Sequence, residues 1–170
     1  MKRIIIACGQ DSSGKSMLLD FLGKNLKHNY LHATYSKDKE FNCLKHHENY
    51  KNLALEEVKW QTILIDRLSP SEYAYGKAFR NGESYDTISF MKNFFNECKE
   101  KNIKIDLIYC KPSVDTFKTQ DRVEMFDDMT KVKKYYDEWF DKFKDYYLFD
   151  WVKDKDYKKL MKDLNIERDV

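Results

Sequence analysis

Gly9-Gln10-Asp11-Ser12-Ser13-Gly14-Lys15-Ser16 has the form GxxxxGK[ST], and it lies between a short apolar run, Ile4-Ile5-Ile6-Ala7-Cys8, and the start of an amphipathic helix. That context gives the pattern its physical meaning. A strand delivers the loop, and the glycines let the backbone wrap a phosphate with its N–H groups turned inward. The following helix adds the positive end of its dipole. Lys15 then reaches the β- and γ-phosphates, and the Ser16 hydroxyl takes one position on Mg²⁺. The stretch therefore predicts a site for a nucleoside triphosphate with Mg²⁺ built from Gly9, Gln10, Asp11, Ser12, Ser13, Gly14, Lys15, Ser16 and Met17.

A chain of 170 residues is long enough for a buried sheet flanked by helices and reads as one domain over residues 1–170. Lys and Arg number 31 against 29 Asp and Glu, so the net charge of +2 gives no global field for a nucleic-acid or membrane surface. Cys8, Cys43, Cys98 and Cys110 include no CxxC pair. Cys8 and Cys110 sit at the ends of apolar runs and read as core thiols in a reducing compartment. The apolar run after Met1-Lys2-Arg3 is too short for a signal-peptide core, and no stretch approaches membrane-spanning length. A cytoplasmic protein with no membrane or nucleic-acid partner is the expectation.

Apolar runs and helical stripes alternate beyond the loop. Leu18, Phe21, Leu22 and Leu26 mark one face of a helix from Gly14 to His28, and Leu31 to Tyr35 reads as a second strand. Residues 36–59 are polar and irregular, with a helix expected from Asn49 to Val58. Thr62-Ile63-Leu64-Ile65 has the unbroken apolar character of a central parallel strand. A short helix over Ser71–Phe79, a striped helix over Tyr85–Lys101 and a strand over Ile103–Tyr109 follow. Lys111 to Gln120 reads as a loop. A long helix through Met129, Val132, Tyr136, Trp139 and Phe143, a strand over Tyr147–Phe149 and a helix over Tyr157–Leu164 close the chain. This order predicts an α/β, P-loop NTPase-type open parallel sheet of about five strands, with helices on both faces and a short lid at about 111–122.

Asp66-Arg67 stands just past the carboxyl end of the third strand, the edge at which open α/β sheets bind ligands. An Asp there can hold Mg²⁺ or its waters, and an Arg can fork a phosphate; a strand-end ion pair or helix cap is the plainer reading of the two residues alone. Asp66-Arg67-Leu68-Ser69-Pro70-Ser71-Glu72-Tyr73-Ala74-Tyr75 resembles the DR[YH]xxSxxA[YF] segment of thymidylate kinases. The GxDxxGK[ST] form of the loop, Asp121-Arg122-Val123-Glu124 and Leu148-Phe149-Asp150 match further segments of that family in its order, across nearly the whole chain.

The resemblance implies phosphoryl transfer from ATP to a deoxynucleoside monophosphate, dTMP or a related pyrimidine. It implies an acceptor site drawing on Asp11, Lys37, Phe41, Asp66, Arg67, Ser71, Tyr75 and Arg80, with Ser16 and Asp66 as metal ligands. Lys15 and Arg67 would act in catalysis, joined by a lid cation, Arg122 or Lys118, because the loop carries Ser12 where some members keep an Arg. Departures bear on the acceptor. Leu68 replaces the aromatic or His of the motif, and Gly76 stands where relatives place a polar side chain that reads the base. The family's Arg and Pro after the second strand are replaced by Tyr35-Ser36-Lys37-Asp38, with Lys37 as a point charge. The stretch between residues 40 and 60 is shorter than the helices that give relatives a stacking aromatic and a homodimer interface; Phe41 and Tyr50 are the replacements for that aromatic. The compact, Lys-rich chain is compatible with a viral origin.

Other features read as structural. His46-His47 with Cys43 matches no zinc spacing and is expected in a surface loop. Lys131 to Lys134 and Lys153 to Lys159 read as solvated helix faces, and Phe94-Phe95 and Trp139-Phe140 as core. Beside the monophosphate kinase stand a P-loop kinase acting on a deoxynucleoside or a nucleic-acid hydroxyl, and a nucleotide-binding regulator without catalysis.

Overall fold

The computed structural model describes residues 2–38, 40–114 and 126–167. The elements are β1 (Arg3–Cys8), α1 (Lys15–Asn25), β2 (His28–His32), α2 (Cys43–Glu57), β3 (Thr62–Asp66), α3 (Ser69–Phe79), α4 (Thr87–Glu100), β4 (Lys104–Cys110), α5 (Phe126–Lys142), β5 (Tyr147–Phe149) and α6 (Lys158–Asp163). The five strands are all parallel and lie in the order β2-β3-β1-β4-β5. β1 is therefore central, and the chain winds first to one side of it and then to the other. The loop after β1 opens where that direction reverses, the place where such sheets bind ligands.

Both faces of the sheet are covered. Ile4, Ile6 and Cys8 of β1 join Ile63, Ile65, Leu107 and Tyr109 in a core with Phe94 of α4 and Tyr136, Trp139 and Phe140 of α5. Ile5 and Ala7 point the other way, with Leu64 and Ile108, onto Leu18 and Leu22 of α1 and Leu160 and Leu164 at the end of the chain. Burial on both sides explains why β1 and β3 read as unbroken apolar runs. Met129, Val132, Tyr136 and Trp139 form the expected stripe of α5, each 4% exposed or less. All four cysteines are free and buried, as expected for Cys8 and Cys110. No helix among the described residues is long and apolar enough to cross a membrane.

Three sequence expectations are corrected. The second strand is His28–His32, three residues earlier than expected. It is an edge strand in register with β3 from His28–Thr62 to His32–Asp66, and its alternating exposed residues hide it. α2 begins at Cys43, six residues before the expected start, with the Asn42 side chain capping it by accepting from Lys45 N at 3.0 Å. That start places Cys43 and His47 in a helix, buried at 5% and 4% exposure, not in a surface loop. No metal-holding group of His, Cys, Asp and Glu occurs among the described residues.

Candidate functional site

The loop after β1 lines a cavity of about 350 Å³ with Gln10 through Met17, joined by Arg67 and Trp151. Gly14 adopts a left-handed conformation (φ 86°) at the start of α1, and a Cβ there would lie 2.5 Å from Trp151 Cδ1. Only glycine meets both requirements. Trp151, just past β5, thus closes one wall of the cradle. Lys15, Ser16 and Met17, the first residues of α1, line the cavity, so the positive end of the helix dipole lies at it.

Asp66 at the end of β3 is 3% exposed, and each of its two oxygens has a partner. Oδ1 is 2.7 Å from Lys15 Nζ, and Oδ2 accepts from the Tyr30 hydroxyl at 2.7 Å and pairs with His32 Nδ1 at 2.8 Å. Burial alone would raise the carboxyl, but Lys15 and these donors hold it below the ordinary carboxylate range. The lysine of the loop and the acid of the strand end therefore form one buried ion pair.

Arg67 follows with a left-handed backbone (φ 66°), uncommon for a residue with a Cβ, and its N–H donates to Ala7 O of β1 at 3.0 Å. This turn sends the guanidinium over the loop. It donates to Asp11 Oδ1 at 2.6 Å and lies 5.2 Å from the centre of the Tyr75 ring. Burial pushes the Tyr75 hydroxyl up to about 12, so it stays protonated.

A second, larger cavity of about 810 Å³ opens on the other side of Arg67. One face of α3 forms its wall: Leu68, Ser71, Glu72, Tyr75 and Phe79, at helical spacing. His32, Tyr35 and Lys37 line it from the end of β2, Cys43 and His47 from α2, and Arg80 closes the far end of α3. Arg67 lines both cavities, so it is the residue they share.

Of the acceptor residues expected from sequence, Asp11, Lys37, Arg67, Ser71, Tyr75 and Arg80 line the two cavities. The Ser71 hydroxyl is shared with Tyr136 at 2.7 Å, which ties α3 to α5. Asp66 sits below, on Lys15. Gly9 stands under the loop, packed near Ser13 and Cys110. Phe41 lies a layer behind Tyr35, edge-on at 5.4 Å, and Tyr50 packs on His46 at 4.6 Å; neither lines the larger cavity. Tyr35 and Phe79 supply its aromatic walls instead. Lys118, Arg122 and most of the lid lie outside the described residues. Glu72, His32, Tyr30 and Trp151 are site residues that the sequence reading missed. Glu72 alone left a signal, an acid on the same helical face as Leu68, Ser71 and Tyr75.

No family model matches the sequence, and no curated protein matches it. Solved structures do. The fold is similar to the YorR protein of Bacillus subtilis in complex with phosphorylated GDP, at a TM-score of 0.71 and 20% identity over 95% of each chain. Deoxyadenosine kinase from M. mycoides with bound dATP is similar at 0.59 and 17% identity, over 97% of this chain and all of that one (100%). Thymidylate kinase from Ehrlichia chaffeensis is similar at 0.55 and 14% identity, over 95% of this chain and 98% of that one. The chain has the fold of P-loop nucleoside monophosphate kinases.

Proposed function

We propose that the chain transfers the γ-phosphoryl group of ATP to a deoxynucleoside monophosphate, with dTMP or a related pyrimidine nucleotide as the acceptor that the sequence resemblance favours. The observation that carries this reading is the sharing of Arg67 between the two cavities. A donor phosphate chain in the cradle and an acceptor phosphate in the larger cavity would meet there. Such a transfer needs positioning and charge neutralisation more than covalent chemistry. The known structures of this fold that were matched include two kinases of nucleotides or deoxynucleosides.

Each residue then has a task. Lys15 leaves Asp66 to hold the donor phosphates, and Arg67, kept in place by Asp11 and Tyr75, forks the acceptor phosphate. Asp11 and Tyr75, at the mouth of the loop, bear on the acceptor sugar, and we assign them the preference for deoxyribose. Arg122 or Lys118 supplies the remaining cation. The donor set of the Ser16 hydroxyl and the Asp66 carboxylate suits Mg²⁺, since a cation, Lys15, already sits on that carboxylate at 2.7 Å. When bound, Mg²⁺ neutralises charge on the transferring phosphates.

One observation favours a second reading, in which the acceptor is a deoxynucleoside hydroxyl. His32 lines the acceptor cavity with its Nδ1 on the buried Asp66, an arrangement that orients an imidazole to take a proton. ADP release against a panel of deoxynucleosides and their monophosphates decides between them. The proposal expects release with monophosphates; release with nucleosides alone would transfer the assignment to the second reading.

A further inference from the structure

The acceptor cavity contains a polar device whose geometry bears on the base. At Gly76 the chain after α3 folds back against the helix: Arg80 N and Gly82 N both donate to Gly76 O, at 2.8 and 3.0 Å. A Cβ on residue 76 would lie 2.4 Å from Gly82 O, a backbone atom. No side chain can occupy the position, so the polar group that relatives are expected to place there is excluded by the fold of this chain. The same fold-back brings other groups into the cavity. Arg80 donates to Glu72 Oε2 at 2.9 Å, and its guanidinium lies 3.8 Å from the centre of the Tyr35 ring. Ser84 N donates to Glu72 Oε1 at 3.0 Å, and the Cys43 thiol donates to Oε2 at 3.3 Å.

These contacts fix what the cavity offers a ligand. A carboxylate has about four lone-pair positions, and three donors, from Arg80, Ser84 and Cys43, already occupy Glu72. Glu72 is 5% exposed and acts as the anchor of Arg80. The guanidinium has five N–H groups and no acceptor, and Tyr35 and Glu72 hold its plane from two sides. The device therefore presents donors almost alone. A base edge carrying a carbonyl oxygen satisfies it. An edge carrying an exocyclic amine sets N–H against N–H, and the one lone-pair position left on Glu72, on Oε1, belongs to a carboxylate that is 5% exposed and turned to Ser84 N.

Building on the assignment of the larger cavity to the acceptor, we infer that Arg80, positioned by Glu72 and Tyr35, is the specificity-determining residue for the base and selects oxo bases. These are the 4-oxopyrimidines, thymine and uracil, and the 6-oxopurine guanine, over cytosine and adenine. The fold-back at Gly76 replaces a side chain on the helix with a guanidinium delivered from beyond its end.

Equilibrium binding by calorimetry tests this apart from turnover. The five bases are compared as deoxynucleoside monophosphates and again as deoxynucleosides, so base selectivity is read in whichever series binds. The expected result is at least about tenfold tighter binding of dTMP, dUMP and dGMP, or of their nucleosides, than of the dAMP and dCMP counterparts. Arg80→Gln, which offers both a donor and an acceptor, should reduce that ratio to about twofold. Glu72→Ala should weaken oxo-base binding while ATP binding is unchanged, and Glu72→Gln, which keeps one acceptor for Arg80, should restore part of it. Equal affinities across the bases in the wild-type chain, or selectivity that survives Arg80→Gln, overturns the inference and leaves the kinase reading intact. Selectivity with turnover of nucleosides only would leave the inference standing and remove the monophosphate assignment.

Discussion

Single residues at this site serve two masters, and their substitution should separate them. Arg67 belongs to both cavities, held by Asp11 of the loop and Tyr75 of α3, and the proposed function gives it the acceptor phosphate. Arg67→Lys keeps the charge and loses the fork, so KM for the acceptor should rise about tenfold with KM for ATP little changed. Steady-state kinetics with each substrate varied in turn would show this; an effect confined to ATP would put Arg67 on the donor side. His47 makes a different prediction. Burial holds its imidazole down at about 4, against an ordinary 6.5, although nearby Glu72 acts in the opposite direction. The folded state keeps it neutral while the unfolded chain binds the proton, so stability is lost as pH falls from 6.5 towards 4. The loss from pH 7 to pH 5 amounts to about 2 kcal/mol for this group, at about 1.4 kcal/mol per pH unit between the two values. Urea unfolding at the two pH values measures it. His47→Gln should remove most of the difference, and a pH dependence unchanged in that variant would mean other groups carry it. The loop residues were legible because the GxxxxGK[ST] order fixes the turn between strand and helix. His47 was not, because burial of a polar residue is decided by what packs over it, and Glu72 showed only as an acid on the same helical face as Ser71 and Tyr75.

At the scale of elements, α3 and Arg80 just after it wall the larger cavity, and the close approach at Gly76 sets that arrangement. Gly76→Ala would force a methyl group onto the Gly82 carbonyl, where no flexible side chain can yield. The expected cost is about 1–3 kcal/mol in urea unfolding, with a parallel weakening of acceptor binding because Arg80 is displaced. A variant as stable as the parent would show that the close approach is dispensable. The strands β1 and β3 were legible as unbroken apolar runs since both their faces are covered. β2 was misplaced because only Leu31 of its five residues is buried, and an edge strand with a polar face resembles a loop in sequence. The first six residues of α2 were missed for a related reason. The buried residues there are Cys43 and His47, and only the Asn42 cap marked the start.

On the scale of the whole molecule, the reversal of winding at β1 sets the cavity of the β1–α1 loop beside a larger one, with Arg67 lining both. The order of strands and helices made that arrangement readable, whereas the identity of the acceptor depends on contacts between segments far apart in the chain. The proposed function stands or falls on transfer of a phosphoryl group between those two cavities. Its most direct test follows the label from [γ-³²P]ATP with Mg²⁺ and a deoxynucleoside monophosphate. The predicted result is label in the β-phosphate of the deoxynucleoside diphosphate, formed one for one with ADP, and slowed at least about a hundredfold in Lys15→Ala. Label released only as inorganic phosphate, or labelled diphosphate formed equally well by Lys15→Ala, would contradict it.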